Sequence, residues 1–336
     1  MHKILMLATG GTIASRQTAK GLLPAITPEE VLEYVPQIGT FCEVHTQQVC
    51  NIDSTNITPQ HWGMISRAIE AHYDEYDGFV ILHGTDTLAY TAAALSYMVQ
   101  ESPKPIVITG AQHPIDIEIT DAKMNLYDSF TYAVDADSAD VAIVFDGKVI
   151  TGTRAKKVNA KSYNAFESIN FPYIAIVQDQ RIIRYLPTIK KSGTPIFHHQ
   201  MDKAVCVLKL TPGMSPAMLT QAFYQHDGIV IESFGVGGIP IQLREEFYHC
   251  IQEFPYKTVV MATQVENEGS NMSIYEVGKK IKSDFNLIEA YDMTLEATIT
   301  KLMWILSHEA YDTKRREEFY RRINNDILYF QKKELR

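Results

Sequence analysis

The sequence predicts an α/β protein, with a doubly wound, mostly parallel sheet in a larger N-terminal domain and a smaller α/β domain at the C-terminus. Short runs rich in valine, isoleucine and leucine recur along the chain, and segments with helical spacing separate them. The runs do not alternate apolar with polar residues, which is typical of strands buried on both faces of a parallel sheet.

The predicted strands are compact apolar runs. They are residues 3–8, 78–82, 105–109, 141–145, 204–210, 228–232 and 258–262. None approaches the ~18–20 residues that a membrane helix needs, so we expect no membrane association.

The predicted helices between these strands have recognisable first residues. Thr27 and Glu30 form a capping box with proline at the first helical position. Thr58-Pro59 and Ser215-Pro216 open two more helices in the same way. In the helix after Thr58 the apolar side chains fall on one face, at Trp62, Ile65 and Ile69.

A stretch without clear periodicity separates the two halves of the chain. Residues 186–202 contain Pro187, Ser192-Gly193, Pro195 and His198-His199. Proline, glycine and serine of this density are typical of a connection. We therefore predict an N-terminal domain at 1–190 that carries the catalytic residues, a linker at 191–202 and a C-terminal domain at 203–336.

Charge and cysteine content limit the function classes. Lys+Arg total 31 and Asp+Glu total 40, a net charge of −9, which disfavours binding to a nucleic-acid backbone. The four cysteines, Cys42, Cys50, Cys206 and Cys250, include no CxxC pair, which favours a reducing compartment. The first apolar stretch is too short for a secretory signal, so we expect a cytoplasmic protein.

Glycines and hydroxyl side chains follow the predicted strands of the N-terminal domain. Thr9-Gly10-Gly11-Thr12 follows the first strand, His83-Gly84-Thr85-Asp86 the second and Thr109-Gly110-Ala111-Gln112 the third. After the fourth strand the chain passes through another short strand to Lys156-Lys157. Ligands of open parallel sheets bind beyond the carboxyl ends of the strands, so these segments predict one crevice. A turn or a helix cap explains any one of them alone.

Several other chemistries lack their motifs. Residues 235–238 lack the third glycine of a dinucleotide fingerprint, and the sequence has no GxxxxGK[ST], GxSxG or HExxH pattern. Histidines His45, His61, His72 and His83 form no i,i+4 ligand pair. We predict no metal and no cofactor.

Two sequence motifs in the predicted N-terminal domain together resemble the signatures of the bacterial-type asparaginase/glutaminase family. They are Thr9-Gly10-Gly11-Thr12-Ile13-Ala14 and His83-Gly84-Thr85-Asp86-Thr87. The resemblance continues through residues 51–55, 108–112 and 157–159 into the C-terminal half, and is greatest to the cytoplasmic type I branch.

This resemblance implies hydrolysis of L-asparagine to L-aspartate and ammonia. Thr12 would be the nucleophile that forms a β-aspartyl ester, and Thr85, Asp86 and Lys157 would form a second catalytic cluster. The substrate would be held by Gly11, Asp53, Ser54, Thr55, Gly84, Thr85 and Asp86.

The implied roles are physically reasonable. A threonine hydroxyl is a weak nucleophile near neutral pH and needs a proton acceptor. We expect Lys157 to act in a relay through Thr85, with Asp86 orienting it. Backbone N–H groups around Gly11 and Thr85 are candidates to receive the developing oxyanion.

The chain departs from the family pattern in two places. Many relatives carry a tyrosine on the loop after the first motif, where this chain has Gly21-Leu22-Leu23-Pro24, so Thr12 needs another base. Segment 15–21 is either a lid or an ordinary surface loop.

Some relatives have a regulatory asparagine site, and its positions are occupied here by Lys156, Glu232 and Val265, which predicts hyperbolic kinetics. Glu276 is a candidate for the acidic residue that a neighbouring subunit contributes in secreted relatives.

The alternatives are a glutaminase-leaning enzyme, an ammonia-channelling amidotransferase component, and an amino-acid-binding module without turnover. One methylene separates asparagine from glutamine, so the sequence does not fix their ratio. Amidotransferase relatives carry an additional N-terminal domain, whereas the first motif here begins at Thr9, and retention of all four catalytic residues favours an enzyme. The family predicts a homodimer or homotetramer.

Overall fold

The computed structural model describes residues 1–18, 21–187, 191, 193–201, 203–274, 285, 287–308 and 314–330. The chain divides into two compact units, Met1–His199 and Gln200–Arg336. None of the described helices is long and apolar enough to cross a membrane.

The first unit contains most of the strands. They are β1 (His2–Gly10), β2 (Ser15–Thr18), β3 (Gly21–Pro24), β4 (Cys42–Ile52), β5 (Gly78–Leu82), β6 (Val99–Gln100), β7 (Pro105–Thr109), β8 (Asp140–Phe145), β9 (Lys148–Thr151), β10 (Ala155–Lys157), β11 (Phe166–Ser168), β12 (Ala175–Gln178), β13 (Arg181–Arg184) and β14 (Ile196–Phe197). The helices are α1 (Pro28–Glu33), α2 (Pro59–Ala71), α3 (Leu88–Met98) and α4 (Ala122–Ala133), with short 3₁₀ turns at Thr12–Ala14, Pro36–Thr40 and Ser54–Asn56.

The main sheet has eight described strands in the order β13-β12-β9-β8-β7-β5-β1-β4. The pairs from β4 through β1, β5 and β7 to β8 are all parallel. The pairs from β8 through β9 and β12 to β13 are antiparallel. The prediction of a mostly parallel α/β sheet is therefore confirmed.

The central strands are buried because their sequences are apolar throughout. Every residue of β5 and β7 is buried, and β1 is buried from Ile4 onward. Ala8 of β1 is in register with Leu82 of β5 on one side and Gln48 of β4 on the other. The carboxyl ends of these parallel strands therefore meet at one edge of the sheet.

The helix starts follow the sequence pattern closely. The Thr27 side chain accepts from the Glu30 N–H, and the Glu30 carboxylate accepts from the Thr27 N–H, which completes the predicted capping box. Helix α2 begins after Thr58 and buries the predicted apolar face, including Trp62, Ile65 and Ile69.

Strand β4 was not among the predicted strands. Its sequence, CEVHTQQVCNI, has no continuous apolar run, and the strand is largely half-exposed. Among the described strands β4 pairs only with β1, so it lies at an edge, where one face is open to solvent.

Segment 15–21, predicted as a lid or a surface loop, includes β2, which forms an antiparallel ribbon with β3.

The second unit contains β15 (Val205–Lys209), β16 (Gly228–Ser233), β17 (Thr258–Thr263) and β18 (Ile288–Glu289). Its helices are α5 (Ala217–Gln225), α6 (Ile241–Glu253), α7 (Leu295–Leu306) and α8 (Arg315–Tyr320), with a 3₁₀ turn at Met272–Ile274. The four strands lie in chain order and are all parallel. The Lys301 Nζ atom lies 2.5 Å from Asp326 Oδ2, with both side chains fully buried. This unit is the predicted smaller α/β domain.

Candidate active site

The turns after β1 and β5 are in direct contact through glycines. Gly11 has φ +82, and a Cβ built on it would lie 2.4 Å from Gly84 N. A Cβ built on Gly84 would lie 3.3 Å from Gly11 Cα. A side chain at Gly11 would therefore separate the two turns, and its left-handed backbone also favours glycine. The residues that follow, Thr12 and Thr85, therefore lie on two turns that touch each other.

The turn after β4 packs against the same glycines. Gly11 N donates to Ile52 O at 3.1 Å. A Cβ built on Gly84 would lie 2.6 Å from the Ser54 hydroxyl oxygen. Thr87 Oγ1 donates to Ser54 O at 2.7 Å. Thus the predicted substrate-binding turn and the two hydroxyl-bearing turns meet at the carboxyl ends of three adjacent strands.

Lys157 joins two of the predicted catalytic residues. Its Nζ atom donates to Thr85 Oγ1 at 2.8 Å and to Asp86 Oδ1 at 2.7 Å. Thr85 is 6% exposed, and the Asp86 side chain is half-exposed. Lys157 reaches them from β10, a strand outside the main sheet that pairs with β11. The structure therefore brings together Thr85, Asp86 and Lys157.

Gln112 adds a further group to this cluster that sequence reasoning gave no role. Thr85 Oγ1 donates to Gln112 Oε1 at 3.1 Å, so the Thr85 hydroxyl accepts from Lys157 and donates to Gln112. The position of Gln112 after strand β7 was the available signal. Asp121 accepts from the backbone N–H groups of Gln112 and His113. The sequence gives no comparable signal for Asp121. Its hydrogen bonds to the Gln112 and His113 backbone form only once the segment before α4 has folded back on itself.

The Thr12 side chain lies half-buried at the first residue of its 3₁₀ turn. Within the described part of the chain its hydroxyl forms no hydrogen bond, unlike the hydroxyl of Thr85. A hydroxyl without an intramolecular partner is available to a ligand.

The predicted substrate-binding residues differ in their environment. Ser54 is 3% exposed, whereas Asp53 and Thr55 are exposed. Asp53 Oδ1 accepts from both Thr55 N and Thr55 Oγ1 at 2.8 Å. Thr55 therefore orients the Asp53 carboxylate, whose second oxygen faces no described donor.

The peptide between Gly84 and Thr85 is oriented by a buried histidine. His83 Nδ1 lies 2.7 Å from Gly84 O, and His83 Nε2 lies 2.9 Å from Thr91 Oγ1. Trp62 Nε1 donates to the same Thr91 hydroxyl at 3.0 Å. A neutral His83 that donates from Nδ1 to Gly84 O and accepts at Nε2 from Thr91 satisfies every hydrogen bond in this series.

The N–H of this peptide is a candidate oxyanion donor. In a trans peptide it points away from the Gly84 carbonyl that His83 holds. Among the described residues the Thr85 N–H has no hydrogen-bond partner, whereas the Gly11 N–H is already donated to Ile52 O. Of the two backbone positions predicted for the oxyanion, the residue Thr85 therefore has the available N–H.

We expect His83 to make the fold sensitive to acid. Complete burial lowers the pKa of His83 to about 4, despite its hydrogen bond to Gly84 O. As the pH falls below 6.5 the unfolded chain takes up a proton that the folded chain does not. This difference lowers the free energy of unfolding by up to about 3 kcal/mol near pH 4. Urea unfolding of the wild type and His83→Gln between pH 7.5 and pH 4 measures it.

The His83→Gln variant should lose less stability on acidification than the wild type. The exposed His113 offers a matched control, since His113→Gln should retain the wild-type slope. Equal pH dependence in the wild type and His83→Gln would contradict a neutral, buried His83.

Among the described residues there is no group of three His, Cys, Asp or Glu side chains that could hold a metal ion. Glu276, the candidate acidic residue from a neighbouring protomer, lies outside the described residues.

Comparison with known proteins identifies the family of both units. Residues 3–189 match the family model described as "Asparaginase, N-terminal", and residues 204–319 match "Glutaminase/Asparaginase C-terminal domain". The chain is 42% identical to an L-asparaginase of Thermococcus kodakarensis over 91% of this chain and 93% of that protein. The solved structure of the thermostable L-asparaginase from that organism superposes with a TM-score of 0.90 at 38% identity, covering 98% of this chain and 100% of that one.

Two other relatives represent the two classes of enzyme considered from the sequence, the asparaginases and the amidotransferase components. L-asparaginase 1 of Escherichia coli is 33% identical over 91% of this chain and 92% of that protein. One component of the glutamyl-tRNA(Gln) amidotransferase of Pyrococcus furiosus is 34% identical over 91% of this chain and 72% of that protein. The family models and the identity to full-length relatives confirm the predicted resemblance: this chain belongs to the asparaginase/glutaminase family.

Proposed function

We propose that this chain hydrolyses L-asparagine to L-aspartate and ammonia through a covalent ester on Thr12. The observation that carries the proposal is the pair of bonds from Lys157 Nζ to Thr85 Oγ1 and Asp86 Oδ1. The turn bearing Thr12 packs directly on the turn bearing Thr85, which supplies one acceptor of these bonds. Such a pair of hydroxyls is suited to double displacement at one amide carbon.

In the first step the Thr12 oxygen attacks the side-chain amide carbon of asparagine. The C–N bond breaks, the Thr12 proton goes to the departing nitrogen, and ammonia leaves. The product is a β-aspartyl ester on Thr12. The free N–H of Thr85 would stabilise the negative charge that develops on the amide oxygen, an effect typically worth about 3–4 kcal/mol per donor.

In the second step a water molecule attacks the ester carbon. The ester C–O bond breaks, Thr12 regains its proton and aspartate is released. The Thr85 hydroxyl, which accepts a hydrogen bond from Lys157 Nζ and donates one to Gln112 Oε1, would be held in place to orient the attacking water. Asp86 fixes the Lys157 ammonium in this geometry.

We assign the α-amino group of the substrate to the carboxylates of Asp53 and Asp86. Both side chains are exposed in the crevice, and Thr55 orients Asp53 with two hydrogen bonds. A charge-assisted bond from an ammonium group to such a carboxylate is worth about 1.5–3 kcal/mol. Ser54, packed on Gly84, is positioned to meet the α-carboxylate.

An ammonia-release assay with asparagine and glutamine side by side tests this function. We expect kcat/KM for asparagine to exceed that for glutamine by about 10–200-fold, the discrimination that one methylene usually provides. The rate should rise hyperbolically with asparagine concentration. Absence of ammonia release from either amide would contradict the proposed hydrolysis, and a sigmoidal curve would contradict the expectation that Lys156, Glu232 and Val265 form no regulatory site.

A glutamine-directed or ammonia-transferring activity is the second candidate. The similarity to a component of a glutamyl-tRNA(Gln) amidotransferase favours it, although this chain spans only 72% of that protein. A higher kcat/KM for glutamine than for asparagine in the same assay would support this alternative.

We also propose a cytoplasmic homodimer or homotetramer. The four cysteines Cys42, Cys50, Cys206 and Cys250 are free thiols, and burial raises the pKa of Cys42 to about 12 and that of Cys206 to about 11. Thiols of this kind are unreactive and suit a reducing compartment. Light scattering on the purified chain distinguishes dimer from tetramer.

A further inference from the structure

The first unit contains a cleft of about 750 Å³ that the proposed reaction does not use. Helix α4 forms one wall, and the turns β8–β9 and β12–β13 supply Asp146 and Asp179. Thr12, Thr85 and Lys157 do not line it.

The carboxylate of Asp128 is the unusual feature of this cleft. Asp128 lies on α4, is only 5% exposed and lines the cleft. Within the described part of the chain its carboxylate forms no hydrogen bond or ion pair. Buried carboxylates are normally paired, because an unpaired one loses hydration without compensation. A ligand that donates N–H groups would supply the missing partner.

The charges around Asp128 favour a cationic ligand. Asp121, Asp146 and Asp179 line the same cleft, against Lys123 as the one basic side chain among its described lining residues. Asp121 is already engaged by Asn125 Nδ2 and two backbone N–H groups.

Neither nearby lysine neutralises Asp128. Lys123 Nζ lies 5.9 Å from the centre of the Tyr34 ring, and Lys148 Nζ lies 4.0 Å from Asp146 Oδ2. Burial, reinforced by the charge of Asp146, raises the pKa of Asp128 to about 7. Asp128 therefore has no cationic partner within the described part of the chain, whereas Asp146 already has one in Lys148.

The other lining groups indicate an organic cation rather than a metal ion. Met124, Tyr127 and Val177 give the cleft apolar walls, and Tyr163 adds a second phenol. Among the described residues no three acidic, histidine or cysteine side chains are close enough to hold a metal. Apolar walls with a few polar groups are typical of sites for small organic ligands.

We propose that this cleft binds an organic amine, with its ammonium group against Asp128 and Asp146 and its carbon chain along Met124 and Val177. The ammonium donates to the carboxylate that lacks a partner within the described chain. This inference does not depend on the proposed asparagine hydrolysis, because it concerns other residues and another ligand.

Calorimetric titration of the full chain with cadaverine at pH 8 tests the proposal. The neutral 1,5-pentanediol has the same chain length without charge and serves as the ligand control. We expect saturable binding of cadaverine and none of the diol. Asp128→Asn keeps the shape but removes the charge, and should weaken cadaverine binding by about tenfold or more. Asp74→Asn removes an exposed carboxylate outside the cleft and should leave the affinity unchanged.

The pH dependence provides a second readout. Because Asp128 must be ionised to pair with the ammonium, affinity should fall about tenfold between pH 8 and pH 6. Asp128→Asn should lose most of this dependence. Equal affinity of the wild type and Asp128→Asn, or wild-type binding of cadaverine no tighter than of the diol, would overturn the proposal.

Discussion

Thr12→Ala is expected to lower kcat for asparagine by at least about 10⁴-fold, the order of loss that follows removal of a covalent nucleophile. The fold should be unaffected, because the Thr12 hydroxyl forms no hydrogen bond within the described chain. We therefore expect a change of less than about 1 kcal/mol in the free energy of unfolding. Binding of the product aspartate, measured by calorimetry, should persist, since Asp53 and Asp86, the carboxylates proposed to hold the α-amino group, remain.

Two variants make this result specific. Thr12→Ser keeps a hydroxyl and should retain measurable turnover, whereas Thr12→Ala should not. Thr40→Ala removes an exposed threonine outside the crevice and should leave kcat unchanged. Ammonia release by Thr12→Ala at a near-normal rate would show that another group attacks the amide.

Lys157→Met should produce the second large loss, about 10³-fold in kcat. The substitution preserves the length of the side chain but removes the donor to Thr85 Oγ1 and Asp86 Oδ1. Positioned proton-transfer groups typically contribute 10²–10⁴-fold to rate. Lys157 Nζ is the atom that links Thr85 to Asp86, so its removal should release both. Steady-state kinetics should place most of the effect in kcat. Lys161→Met, at an exposed position, is the matched control.

A double-mutant cycle tests whether Thr85 and Lys157 act as one unit. Thr85→Val removes the hydroxyl that Lys157 contacts and should cost nearly as much as Lys157→Met. Residues that act together show strongly non-additive losses, so the double variant should be less than about tenfold worse than either single variant. Fully additive losses would contradict a shared role.

The sequence predicted the buried strands well because their apolar character is continuous. Strands β5 and β7 have the predicted bounds. The pattern failed at β4, where an edge strand has one face open to solvent and keeps polar side chains. Burial on both faces gives a strong signal in the sequence, and burial on one face gives a weak one.

The candidate site was predictable where each residue follows a parallel strand. That rule places Thr12, Thr85 and Gln112 at one edge, since neighbouring parallel strands end together. Lys157 lies on β10, outside the main sheet. The same rule predicted its place near the crevice, and only the family resemblance indicated its role. Asp121 fixes the backbone before α4 by accepting hydrogen bonds from N–H groups eight and nine residues earlier. Hydrogen bonds of this kind leave no local pattern in the sequence.

The register between β1 and β5 sets the relative position of the turns that carry Thr12 and Thr85. Ala8 is level with Leu82, and each threonine follows its strand after a turn of fixed length. Deleting one residue from β1 would retract Thr12 by about 3.3 Å and reverse the direction of its side chain. Variation in chain length should therefore be tolerated in peripheral hairpins such as β12–β13, and selected against in these two strands as strongly as loss of the reactive groups themselves.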